Sequence, residues 1–168
     1  MKEEIINKVA NSSLITIDME DLYPSGDRIT LDITPWLFKG LVLREKNFRE
    51  LAKNHDWEQY KDCYVAIICS SEAIIPTWAY MLISIYLSPL VKKSVVGTLN
   101  DLEELIFSEV IFSMSIKEYQ DKPVIIKGCS HLNIPENAYL LLTQKLKPVV
   151  KSLMFGEACS SVPLYKKK

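Results

Sequence analysis

Three of the four cysteines stand where a run of regular structure ends. Cys69 follows the apolar run Tyr64-Val65-Ala66-Ile67-Ile68, and Cys129 follows Val124-Ile125-Ile126-Lys127-Gly128. Cys159 lies just past Gly156, which is expected to end the last long helix. Ligands of open α/β sheets bind beyond the carboxyl ends of the strands. Two of these cysteines are therefore expected in one such crevice, with the chain able to bring the third to them. Three thiolates suit a soft or borderline metal and leave one coordination position for water, substrate or another side chain. His131, two residues after Cys129, and Glu157, two before Cys159, are the candidates for that position. The expected set is thus Cys69, Cys129, Cys159, His131 and Glu157 around zinc or an iron–sulfur cluster. The intervals between the cysteines match no zinc-ribbon or ferredoxin spacing, so this expectation rests on topology alone. The competing reading is packing, because unpaired cysteine is among the most often buried residues. Cys63, at the start of its strand, is assigned to packing.

Two further chemistries use the same loops. A thiol-redox protein would need a cysteine with a lowered pKa, and no CxxC pair supports it. The segments Ser70-Ser71-Glu72 and Lys127-Gly128-Cys129-Ser130-His131 each join a strand end to a helix start, where backbone N–H groups can hold a small anionic ligand. Ser70, Ser71, Gly128 and Ser130 would line that pocket, with Trp78 as a wall. Taken singly, the serines read as loop caps and Trp78 as core. No GxSxG, HExxH, Walker loop or GxGxxG occurs, and no catalytic residue or enzyme class is assigned.

The bulk properties narrow the partners. In 168 residues, 20 basic and 21 acidic side chains give a net charge of −1. No field of one sign exists to draw in nucleic acid or anionic lipid. The longest apolar stretch, Ala73 to Leu90, is interrupted by Pro76, Thr77, Ser84, Ser88 and Pro89, and reads as a buried helix rather than a membrane span. With no secretory signal in the charged start, a cytoplasmic location with reduced thiols is expected. A non-catalytic interaction or regulatory module is the alternative function. It would associate as a homodimer through the edge strand near Val162 or through a helix face.

The elements that must position these residues follow from periodicity. Glu3 to Ala10 reads as a short helix. Leu14 to Met19 and Ile29 to Ile33 alternate as strands, separated by the turn Pro24-Ser25-Gly26-Asp27. With Phe38 to Leu43 they are expected to form an N-terminal antiparallel meander. Glu45 to Asn54 has helical spacing, and His55 is expected to be exposed. Strands at Val65 to Ile68, Ser94 to Val96 and Val124 to Lys127 then alternate with helices from Pro76, Leu99 and Pro135. The last helix is expected to reach Phe155, and Val162 to Tyr165 to form an edge strand. The fold class expected is α/β in a single domain of residues 1–168. Its mixed sheet has a parallel βαβαβ core extended by the meander, with helices packed on the sheet. No internal repeat, linker or low-complexity segment is read from the sequence.

Several segments carry a resemblance. Ile75-Ile-Pro-Thr-Trp-Ala-Tyr-Met81, Val124-Ile-Ile-Lys-Gly-Cys129 and Met154-Phe-Gly-Glu-Ala-Cys-Ser-Ser-Val-Pro163 resemble an uncharacterised bacterial family, domain of unknown function 2480. Ile15-Thr-Ile-Asp-Met-Glu-Asp-Leu-Tyr-Pro24 and Asn54-His-Asp-Trp57 are similar to it as well. The resemblance spans nearly the whole chain and implies a small, single-domain cytoplasmic bacterial protein. It implies no activity, cofactor or catalytic residue.

Overall fold

A computed structural model describes residues 14–128 and 131–168. Within them run β1 (Ile15–Asp18), β2 (Arg28–Asp32), α1 (Glu45–Asn54), β3 (Tyr64–Ile68), α2 (Thr77–Leu87), β4 (Lys93–Val96), α3 (Leu99–Ser113), β5 (Pro123–Lys127), α4 (Glu136–Leu146), β6 (Ser152–Phe155) and β7 (Val162–Lys166). They belong to two compact units. One is contiguous, Pro24–Ile106; the other is split, joining the residues up to Tyr23 to Phe107–Lys168.

The contiguous unit carries a parallel sheet of order β2-β3-β4. Leu31, Ile33, Val65 and Ile67 bury against Phe48 and Ala52 of α1 and against Ala79, Ile83 and Leu87 of α2. The last three recur at i, i+4 and i+8, which puts them on one helix face. The split unit carries the order β1-β5-β6-β7, parallel except for the antiparallel β6–β7 pair. Its core sets Ile17, Met19, Val124, Ile126 and Leu153 against Phe107 and Ile111 of α3 and Ala138, Leu142 and Leu146 of α4. Each fully buried aliphatic or Phe side chain contributes roughly 1.5–3 kcal/mol.

The two units repeat each other. Residues of the contiguous unit recur 59 positions later, as Asp62 and Asp121 or Gly97 and Gly156 illustrate. Every bound of β3, α2 and β4 maps on β5, α4 and β6 at that shift. So do Tyr60 on Tyr119, Phe48 on Phe107, Pro76 on Pro135, Ala79 on Ala138 and Pro89 on Pro148. The backbone agrees. Asp62 and Asp121 both have positive φ, and their amides donate to Leu90 O and Val149 O at 2.9 and 2.8 Å. Gly97 N reaches Ile67 O and Gly156 N reaches Ile126 O, each at 3.0 Å. The opening strands repeat at a shorter shift, Ile15-Thr-Ile-Asp-Met19 against Ile29-Thr-Leu-Asp-Ile33. The expectation of no internal repeat is therefore corrected. Identities at the equivalent positions are scattered, and what has been kept is the set of positions that fix backbone and core.

The α/β class, with helices packed on sheets of which one is mixed, is as expected. Its connectivity differs from expectation in three ways. β1 and β2 do not form a meander; each runs parallel to a partner in a different sheet, β1 beside β5 and β2 beside β3. Alternation marks a strand buried on one face but does not encode its neighbour. The Phe38 to Leu43 run yields an isolated antiparallel bridge, Phe38 to Val42. Strands near Val65 and Val95 share one sheet, whereas Ile125 lies in the other. Finally, α4 ends at Leu146, and Ser152–Phe155 is strand β6 rather than helix. Pro148 clashes with continued helix, and β-branched Val149 and Val150 follow it. The expected edge strand is present as β7. His55 is half-buried rather than exposed, edge-on to Trp36 and Trp57 with its Nε2 3.0 Å from Tyr60 Oη. The expected helix at Glu3 to Ala10 falls outside the described residues.

Candidate functional site: the carboxyl end of the contiguous sheet

β2 and β3 end side by side, so Asp32 and Ile68 are register partners and Cys69 begins the loop beyond them. Asp32 closes this end. Its Oδ1 accepts from Thr34 N at 2.9 Å, an Asx-type turn, and from Ser70 N at 3.2 Å. Its Oδ2 accepts from Ser70 Oγ at 2.6 Å. Partial burial pushes the Asp32 carboxyl up, but these donors outweigh it and hold the group down at about 2. The carboxylate is thus ionised at neutral pH and ties the loop to β2.

The Cys69 thiol sits within this frame, partly buried. Its Sγ lies 3.3 Å from Ser71 Oγ and 3.6 Å from Thr34 Oγ1. Thr34 Oγ1 accepts from Ser70 N at 2.8 Å, which leaves its own proton free to point at the sulfur or at Ser70 Oγ, 3.1 Å away. Burial raises the Cys69 pKa and the Asp32 charge adds to that rise. The Ser71 and Thr34 hydroxyls outweigh both, and the net shift is downward. In return, the Cys69 charge adds to the burial that pushes the Tyr80 phenol upward. Cys63 offers a contrast: it is buried in the core cluster with Sγ 3.3 Å from Lys61 O.

The other anticipated residues distribute as follows. Ser70 and Ser71 belong to the Cys69 loop as described. Trp78 packs edge-on against Phe48 with ring centroids 5.8 Å apart, and the Arg49 guanidinium lies over its ring. Cys159 is exposed in the segment between β6 and β7, in the split unit. Glu157 is exposed too, its carboxylate 3.8 Å from Lys127 Nζ. Lys127 also pairs with Asp18 at 3.2 Å. His131 is exposed at the start of the loop leading to α4. At Gly128 a Cβ would come within 3.2 Å of the Phe155 ring, so glycine permits the close packing there. Cys129 and Ser130 lie outside the described residues. Among the described residues no group of three or more His, Cys, Asp or Glu side chains is arranged to hold a metal ion.

Sequence reading did not single out Asp32 or Thr34 as site residues. The repeated pentapeptide was the available signal. Asp18 builds the same turn in the split unit, its Oδ1 accepting from Glu20 N at 3.0 Å. That bond first, and then Lys127, lower the Asp18 carboxyl against the opposing effect of burial. The Asx turn is therefore a shared structural device. At the position equivalent to Cys69 the split unit has Gly128, with Cys129 one residue later.

Residues 3–167 match the family described as protein of unknown function, DUF2480, and the chain belongs to that family. No curated protein and no solved structure matches it. No helix among the described residues is long and apolar enough to cross a membrane.

Proposed function

We propose that the carboxyl end of the contiguous sheet is a thiolate centre in which Cys69 is the reacting atom's carrier. One observation carries the reading: a partly buried sulfur with two hydroxyls within 3.6 Å and a downward-shifted pKa. A thiolate is the nucleophilic and metal-binding form of cysteine. Thr34 and Ser71 would donate to its negative charge, while Asp32 would keep the loop fixed through Ser70. Activation would come from hydrogen bonds with Ser71 and Thr34 and be moderate.

The test is alkylation of the intact protein across pH, read peptide by peptide by mass spectrometry. Cys69 is expected to titrate at lower pH than the exposed Cys159. Thr34→Val and Ser71→Ala should each move the Cys69 midpoint upward while leaving Cys159 unchanged. Coincident midpoints for the two cysteines would sink the reading.

A soft metal is the other natural occupant of such a thiolate. The zinc or iron–sulfur assignment, with Cys129, Cys159, His131 and Glu157 as further ligands, is carried forward as the alternative. Its support is that the loops after β3 and β5 each carry a cysteine, Cys69 and Cys129, one residue out of step in the repeat. Stoichiometric metal in protein purified without oxygen, lost in Cys129→Ser, would replace the nucleophile reading with this one.

A further inference from the structure

The repeat exposes a difference at the sheet edges. In the split unit β6 is followed by β7, which lies antiparallel along its outer side, pairing Leu153 with Tyr165 and Phe155 with Val162. β4 is the equivalent of β6, but the chain after it turns at Gly97 into α3. Among the described residues no strand pairs with the outer side of β4. The orientation of its backbone is fixed: Gly97 N points inward to Ile67 O. By alternation Val95 also points inward, and Ser94 and Val96 present their N–H and C=O groups outward. These are the equivalents of Leu153 and Phe155, the residues that receive β7.

Apolar exposure continues from this edge. In the split unit Leu140, Phe155, Val162 and Leu164 line one apolar groove, so β7 brings its own side chains to that surface. At the equivalent positions of the contiguous unit Met81 is 64% and Val96 52% exposed, with Ile85 one turn further at 69%. An edge of this kind is a template for another strand.

We propose that β4 pairs antiparallel with β4 of a second copy of the chain, forming a two-fold dimer through a continuous sheet. Pairing Ser94 with Val96 of the other copy aligns all the outward groups and sets the two-fold axis at Val95. Charge favours this occupant and direction. The same register places Lys92, whose Nζ donates to Ser25 O at 2.7 Å and keeps its charge, opposite Thr98 of the other copy, whose amide and hydroxyl hold Asp101 at 2.6 and 2.7 Å. The basic start of one strand thus meets the acidic start of the other copy's α3, twice by symmetry. A two-fold contact of this type is self-complementary, and Met81, Ile85 and Val96 of both copies flank it.

Sedimentation of the full chain tests the proposal. A dimer is expected, converted to monomer by Ser94→Pro, which removes an outward N–H at an edge where proline is tolerated. Ile85→Glu should weaken it severalfold with unchanged circular dichroism, which guards against a folding defect in the first variant. Val95→Cys in a Cys159→Ser background should form an intermolecular disulfide, since facing residues of a non-hydrogen-bonded antiparallel pair lie within disulfide reach. A wild-type monomer, a dimer indifferent to both edge substitutions, or no cross-link at position 95 would each overturn it.

Discussion

Asp32 and Asp18 occupy equivalent places and make the same Asx turn, yet their second oxygens meet different partners, Ser70 Oγ in one case and Lys127 Nζ in the other. The turn is what both units need, because it satisfies the backbone where parallel strands stop. The second contact is where they have diverged. Replacing Asp32 with Ala strips three acceptor bonds and should lower stability by about 1–3 kcal/mol, the usual cost of leaving partly buried donors unsatisfied. Its folded value, about 2, is below the ordinary 3.8. Stability from this group is therefore fully present above 3.8 and is lost as pH falls toward 2. Chemical denaturation at neutral pH and in that acid window, on wild type and Asp32→Ala, checks both; equal acid sensitivity would contradict the assignment.

Elements here are ended by local conformation as much as by hydrophobic pattern. Gly97 closes β4 with φ +148, and a Cβ there would lie 2.6 Å from Asp101 Oδ2. The strand must stop and the chain must pass close to the first turn of α3, where Asp101 accepts from Thr98. Only glycine meets both demands. Gly97→Ala should cost about 1–3 kcal/mol through strain and displacement of the cap. Thermal unfolding measures it, with Gly40→Ala as comparison, since a Cβ at Gly40 meets only Thr34 Cγ2 at 3.8 Å. A Gly97 effect no larger than the Gly40 effect would refute the argument.

Across the molecule, each unit has its own apolar centre, with Phe48 and Phe107 fully buried at equivalent positions. Truncating either to Ala should remove about 3–5 kcal/mol. Native-state hydrogen exchange should place the loss locally. Phe48→Ala weakens protection of β2, β3 and α2 first, and Phe107→Ala that of β1, β5 and α4. Uniform loss from either substitution would mean that protection follows a single global opening. The chain's near-zero net charge says nothing about which unit carries function. The proposed nucleophile distinguishes the two loops: Cys69 aligns with Gly128, and the split unit's loop cysteine, Cys129, stands one position later.

The sequence alone fixed the identity and order of most elements after Tyr64, because β-branched runs, Pro76 and Pro135 at helix starts and glycines after strands act within a few residues. It also marked Cys69 and its serines as lying at a strand end. Partner choice was beyond it: β1 and β2 read alike and join different sheets, since a one-faced apolar pattern is satisfied by any suitable neighbour. Pro148 ended a helix that spacing extended to Phe155. Asp32 and Thr34 entered the site only through tertiary structure, because they stand far from Cys69 along the chain and reach it through adjacent strand ends, a relation that local spacing does not record.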